Sequence, residues 1–331
     1  MIEETAKTRA LLTQKVRDYF NNKNFIEVET PIMTPHPGME PHLAPFETHF
    51  QTPHTSFPLY LNTSPELQMK KLLGKGFSKI FNITKVFRNG ETGGPQHNPE
   101  FTMIEWYSKN SDYTNIMEDC ENLVTSLAPS TPITYQNTEI DLTTPWPRKS
   151  VNELFIEFTK INLLENQTYE EFANTATSHN LDINACCTWD DIFFKIFLNH
   201  IEPNLDKSRP LFVYDYPSTQ AALARKSPTE PFFAERFELY IAGIELCNAF
   251  SELIDPEEQR SRLIEEQKER EKLGKTVFPI DEDFLNHLKS IKEPCAGNAL
   301  GLDRLFMILM NKKSIEDVLL FPLTKMITIQ P

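Results

Sequence analysis

Two runs rich in apolar and β-branched residues, Lys79–Phe87 ("KIFNITKVF") and residues 99–107 ("PEFTMIEWY"), enclose the polar, glycine-rich stretch "RNGETGGPQHN". Such runs, bounded by turn formers, read as strands, so the segment predicts a hairpin with a long tip. It also carries a fixed cation (Arg88), a histidine (His97) and a carboxylate (Glu105) flanked by Trp106 and Tyr107.

The rest of the sequence is consistent with a sheet built from hairpins. Residues 6–22 place Leu11, Leu12, Val16, Tyr19 and Phe20 at helical spacing. "FIEVETPIM" alternates apolar and acidic positions up to Pro31, as a strand stopped by proline does. "FPLYLN" predicts a short strand, and a helix opens near Ser64 as N-cap with Pro65 in the first helical position. Residues 112–208 are helical in pattern, with Pro/Thr-rich joints. "RPLFVYDYP" reads as a strand, and residues 235–253 read as two strands joined around Gly243. A charged helix ends at Gly274, and "GNALGLDRLFMILMN" predicts a strand turning into a helix. Strands joined as hairpins with helices to one side give an α+β fold on an antiparallel sheet, in one domain over residues 1–331 with a helical insertion at about 112–208.

Composition narrows the function. A net charge of −14 argues against a protein whose main task is gripping nucleic-acid backbone. Five cysteines without a C-x-x-C pair suggest neither a disulfide framework nor a zinc site. The N-terminal stretch is unlike a signal peptide, and no run of about 18 apolar residues is present to span a bilayer, so a soluble cytoplasmic protein is expected. The G-x-x-x-x-G-K-[ST], G-x-G-x-x-G and G-x-S-x-G spacings are absent. "LLGKGFSK" fits a surface helix ending at Gly74 better than a phosphate cradle.

Any nucleotide must therefore be held by side chains. Arg88 stands at a strand end beside the hairpin tip, and Arg304 at a strand-to-helix turn after Gly297 and Gly301. A guanidinium offers a fork for phosphate and a flat face for a base, although a lone arginine more often pairs with a nearby surface acid. Glu238 and Glu245 lie on two strands that a turn near Gly243 brings to one face. Two carboxylates there suit Mg²⁺ with phosphate ligands, or form an acidic sheet face. Glu66, Glu105, Tyr107, Asn248, Phe250 and Glu252 suit an ammonium-bearing ligand; the alternative is core aromatics with acids at the edge.

In their order along the chain these pieces resemble class II aminoacyl-tRNA synthetases of the lysyl type. "FRNGETGGPQHNPEFTMIEWY" is similar to their motif 2, "GNALGLDRL" to motif 3, and "FIEVETPIM" to motif 1, whose proline lies at a dimer interface. "ELCNAFSELIDPEEQ" resembles their lysine-site strand, and the likeness runs over residues 8–322. Motif 1 begins almost at residue 8, which leaves no room ahead of it for an anticodon-reading barrel. The chain thereby resembles the truncated paralogues that ligate (R)-β-lysine to a lysine of translation elongation factor P. Ala299 where tRNA-charging enzymes have glycine, Ser64 where they have alanine, and "FVYDYPSTQAALAR" agree with those paralogues.

The resemblance implies ATP and Mg²⁺ as cofactors, a homodimer with Pro31 at its interface, and activation of a substrate carboxylate as acyl-adenylate before transfer. It implies that Arg88 bridges the α-phosphate and the substrate carboxylate and that His97 and Asn98 lie on the nucleotide. Phe101 and Arg304 would stack on either face of adenine, and Glu238 and Glu245 would hold Mg²⁺. Ser64, Glu66, Glu105, Tyr107, Asn248, Glu252 and Ala299 would surround the lysine-like substrate, with Phe250 against its methylenes. The motif 2 loop is one residue longer than the pattern, so the glutamate after "FRN" is Glu91 rather than residue 90. Ala249 replaces the glycine of "NGF". The alternatives are a stand-alone lysyl-type activating enzyme acting on tRNA or a small molecule, and an inactive regulatory paralogue.

Overall fold

The computed structural model describes residues 2–91, 94–221 and 223–327. The expected hairpin is present: Lys79–Phe87 pairs antiparallel with Glu100–Lys109, from Lys79 opposite Ser108 to Phe87 opposite Glu100. Within its tip, Thr92 and Gly93 lie outside the described residues. This hairpin sits in an eight-stranded sheet. After it come Cys295–Gly301, Ile244–Ser251, Phe233–Ile241 and Leu211–Pro217, all antiparallel. Short strands at the two edges, Ile26–Glu27 and Arg148–Ser150, pair parallel to their neighbours, so the sheet is mixed rather than wholly antiparallel.

Side-chain alternation along a strand has period two, so each strand sends alternate residues to opposite faces. Ile104, Trp106, Phe237, Leu239, Ala249 and Leu300 face one side. There they form the main core with Leu12, Val16 and Phe20 of the Ile2–Asn22 helix and with the helices Tyr113–Leu127 and Leu302–Leu309. Neighbouring positions on the same strands face the other side. Cross-strand register there places Glu105 opposite Ala299, Ala299 opposite Asn248, and Asn248 opposite Glu238. A second row runs Tyr107, Gly297, Phe250, Arg236.

The turn between Ile241 and Ile244 has positive φ at both Ala242 (56°) and Gly243 (74°), the two-residue geometry that matches strand twist. Tyr240 then lies opposite Glu245 but Leu239 opposite Cys247, leaving Leu246 as an extra bulged residue. The bulge matters for function. Glu245 and Asn248 are an odd number of residues apart and on a regular strand would face opposite ways; the extra residue brings both to the polar face.

Three local expectations are adjusted. The proline-stopped strand is only two residues long, because the chain from Val28 onward is held by single contacts: Val28 N–H donates to the Phe81 carbonyl (2.8 Å) and Asn82 Nδ2 to Thr30 Oγ1 (2.8 Å). The Glu66–Gly74 helix opens one residue late, with Ser64 Oγ still accepting from Glu66 N–H at 3.0 Å. Gly74 is no surface cap. The helix packs on Glu282–Leu288, and a Cβ at Gly74 would stand 2.4 Å from the His287 carbonyl oxygen, while the left-handed φ of 102° falls at Gly76. Gly74→Ala is therefore expected to destabilise the fold by about 1–3 kcal/mol through overpacking, read as a lower urea midpoint at unchanged slope.

Candidate active site

The polar face of the sheet floors a cavity of about 460 Å³. Its walls include Ser64, Glu66, Arg88, Glu91, His97, Asn98, Phe101, Glu238, Glu245, Asn248, Phe250, Ala299 and Arg304, so thirteen of the residues singled out in the sequence meet in one space. Glu105, Tyr107 and Glu252 lie behind that lining, buried, and act on it through their neighbours. Along Glu100–Lys109 the residues on this face run Phe101, Met103, Glu105, Tyr107, leading from the hairpin tip to the far end. The two ends differ in charge.

At the tip end the guanidinium of Arg88 lies 5.3 Å from the Phe101 ring centroid, with Nη1 3.5 Å from Glu91 Oε1. Its Nε is shielded from solvent and has no hydrogen-bond partner, a donor left for a ligand. Arg304 is held on three sides: Nε donates to the Gln96 carbonyl (3.2 Å), Nη1 to the Glu245 carbonyl (2.8 Å), and Nη2 meets His97 Nε2 (3.0 Å). Burial, and then the Arg304 charge, push the His97 imidazole below its ordinary value, so it accepts from the guanidinium as a neutral ring. Asn98 spends its amide on the fold: Nδ2 donates to the Glu100 carbonyl (2.5 Å) and Oδ1 accepts from Leu323 N–H (3.0 Å).

Glu238 and Glu245 share the face, as the turn at Gly243 suggested. Glu238 accepts from Arg236 Nη2 (2.6 Å) at one oxygen and from Tyr216 OH (2.6 Å) and Tyr240 OH (2.8 Å) at the other. Glu245 is more loosely held, with Oε2 3.8 Å from Arg304 Nη1. Desolvation and the Glu238 charge push its carboxyl up to about 7. No group of three metal-ligating side chains occurs among the described residues. Two hard carboxylates that repel each other fit a magnesium ion whose remaining ligands are water and phosphate oxygens.

The far end is crowded with acid. Ser64 Oγ donates to Glu105 Oε1 at 2.5 Å and Tyr107 OH to Glu105 Oε2 at 2.9 Å. Burial, and then the Glu66 charge, push the Glu105 carboxyl up to about 8 despite these donors. Lys70 was not anticipated. It is 1% exposed and its ammonium lies 2.5 Å from both Glu66 Oε1 and Glu252 Oε2, and 5.5 Å from the Phe250 ring centroid. Burial alone would lower its pKa, but the two carboxylates outweigh it and keep the lysine charged. Its sequence signal was the i, i+4 spacing from Glu66 on a helix. Arg236 was also missed: it donates from Nε to Asn248 Oδ1 (3.0 Å) as well as holding Glu238, two positions along the same strand face.

A carboxyl that titrates higher in the native state than its ordinary value of 4.5 stabilises the fold fully below that value. It loses the contribution as pH rises through the native one. With Glu105 and Glu266 both raised to about 8, stability is expected to fall between roughly pH 4.5 and 8. Glu105→Gln should flatten that slope in melting curves taken across this range; an unchanged slope would show that Glu105 does not titrate there.

Comparison with known proteins identifies the family. Residues 1–325 match the family described as tRNA synthetases class II (D, K and N). Lysine–tRNA ligases from Pelotomaculum thermopropionicum and Bacillus subtilis are 38% and 39% identical over 330 and 324 residues, covering 98% and 97% of this chain. A third from Clostridium acetobutylicum is 38% identical over 332 residues, covering 98% of this chain. The chain spans only 63–64% of the length of these relatives. With the family match running over residues 1–325, the chain belongs to the class II tRNA synthetases of the D, K and N group.

Proposed function

We propose that the cavity activates the carboxylate of a lysine-like amino acid with ATP, as an acyl-adenylate, and passes the acyl group to a lysine side chain of translation elongation factor P, with (R)-β-lysine as the amino acid. The observation that carries the activation step is the division of one cavity into an arginine end and a carboxylate end. An amino acid with a carboxylate at one end and ammonium groups elsewhere matches that polarity, and it sets its carboxylate beside the groups that hold a nucleotide.

The chemistry is in-line attack of the substrate carboxylate on the α-phosphorus of ATP, with pyrophosphate leaving. Catalysis then rests on positioning and on neutralising charge that builds on phosphate oxygens. Arg88 has an unspent donor for that charge, and Arg304 is pre-set by its contacts with Gln96, Glu245 and His97. Phe101 offers a flat face to a base. Magnesium held by Glu238 and Glu245 would supply further neutralisation at the phosphates. At the other end Glu66, Glu252 and the Phe250 ring receive the ammonium-bearing chain.

Two features favour the protein-modifying reading over tRNA charging. Ala299 places a methyl on the floor between Glu105 and Asn248, and Ser64 commits its hydroxyl to Glu105. Both line the space where a substrate amine one carbon further from the carboxylate would be selected. The segment similar to those paralogues also supplies Ala221, Leu223 and Ala224 to the cluster behind Phe250.

ATP–pyrophosphate exchange with α-lysine and (R)-β-lysine, followed by a mass-shift assay on elongation factor P, tests this reading. Exchange should favour the β isomer and drop roughly a hundredfold or more in Arg88→Ala. Near wild-type exchange in that variant would remove Arg88 from the chemistry, no exchange at all would favour an inactive regulatory role, and exchange without a mass shift would favour tRNA or a small molecule as acceptor.

We further propose a homodimer through the segment around Pro31. It lies between two short edge strands, Ile26–Glu27 and Met33–Thr34, and leaves Ile32 44% and Met33 53% exposed. Sedimentation at micromolar concentration should give twice the chain mass; a monomer there refutes the interface.

A further inference from the structure

Behind Glu66 lies a second, much smaller chamber of about 30 Å³ that shares Glu40, Ser64 and Glu66 with the main cavity. Its far wall carries Glu266 from the Pro256–Lys272 helix, among the apolar side chains of Leu67, Leu263 and Phe284. Glu40 Oε2 is sealed from solvent and has no hydrogen-bond partner. The chain is shaped to seat it: a Cβ at Gly38 would stand 2.2 Å from that oxygen.

The nearby cations already have partners. Lys70 is shared by Glu66 and Glu252, and Lys71 by Asp281 and Asp283. Arg270 donates to the carbonyl oxygens of Thr276, Glu40 and Leu43. Among the described residues none forms an ion pair with Glu40. Burial, and then the Glu66 charge, hold the Glu40 carboxyl above its ordinary value, while burial, Glu40 and Glu66 in that order push Glu266 to about 8. Lys70 pairs with Glu66, Arg88 and Arg270 act on Glu40, and Arg262 and Arg270 act on Glu266, but burial and mutual repulsion outweigh these charges at Glu40 and Glu266, so three carboxylates crowd one small space.

We propose that this chamber is a subsite for one ammonium-sized cation, held between Glu40, Glu66 and Glu266. Its size sets the class of ligand. A space of about 30 Å³ takes one or two water-sized groups, since a water needs about 10–15 Å³, and it leaves no room for a hydrated divalent ion. The cation is either a primary ammonium of a ligand seated in the main cavity, reaching past Glu66, or a free monovalent ion. The subsite does not require adenylate formation and stands apart from the reading of the main cavity.

The test uses the full chain in two arms. In the first, melting temperatures are compared in ammonium, potassium and choline chloride at equal ionic strength. In the second, calorimetry measures L-lysine and 6-aminohexanoate, which lacks the α-amine, on wild type, Glu266→Gln and Glu40→Gln. A higher melting temperature in ammonium or potassium than in choline, lost in Glu266→Gln, assigns the site to a free ion. Indifference to salt with at least about a tenfold loss of L-lysine affinity in the variants, and unchanged 6-aminohexanoate binding, assigns it to the ligand's ammonium. Identical melting in all three salts together with unchanged affinity, or with equal losses for both compounds, overturns the proposal. Equal losses would reflect only long-range charge. If wild type binds neither compound, the proposed amino-acid site fails and the salt comparison alone decides the chamber. That comparison also holds should a variant not fold.

Discussion

Taking five carboxylates out of water beside a single buried lysine is the constraint around which the far end of this site is organised. Glu40, Glu66, Glu105, Glu252 and Glu266 interact with one another, and Glu66 raises the pKa of each of the other four. Lys70 neutralises part of that charge by bridging Glu66 and Glu252. The fold therefore bears a repulsion among buried carboxylates that this single lysine only partly relieves. Replacing Lys70 would leave Glu66 and Glu252 without their shared counter-charge, so the bridge couples stability to site geometry.

The opposite end balances its charges more closely. Arg88, Arg236 and Arg304 gather around Phe101, Asn248 and His97, each beside one carboxylate: Glu91, Glu238 and Glu245. The two ends are joined through the sheet itself. Tyr107 to Phe101 on one strand, and Glu238 to Glu105 across four strands, set the distances between groups by backbone hydrogen bonding rather than by flexible loops. Rigid placement of this kind is what a reaction governed by positioning requires. Lys70 and Arg236 act as internal supports: Lys70 holds Glu66 and Glu252, and Arg236 holds Asn248 and Glu238.

Much of this was legible from residues alone. The Lys79–Phe87 strand matched its expected ends, and the hairpin around Gly243 lay where the turn signal put it. The residues singled out for their functional groups also came together: Arg88, Phe101, Glu238, Glu245 and Arg304 line one cavity with Ser64, Glu66 and Asn248. Where reading failed, the reason was physical. Gly74 looked like a cap because a glycine at a helix end usually is one, but here the helix from Glu282 approaches too closely for a Cβ. The strand before Pro31 shrank to two residues because its pairing partner runs parallel and only briefly alongside.

The sequence by itself determined the elements, the order of the motifs and the chemistry of each side chain, because period, turn formers and functional groups are local properties. Tertiary structure decided which of those groups share water-free space. The Leu246 bulge turned Glu245 and Asn248 to one face, a backbone irregularity that period-two counting cannot foresee. Helix-to-sheet packing set Lys70 between two acids separated by nearly 190 residues of chain, and brought Glu40, Glu66 and Glu266 around one chamber. Desolvation depends on the whole fold, and it is desolvation that turns ordinary carboxylates into groups titrating near neutrality.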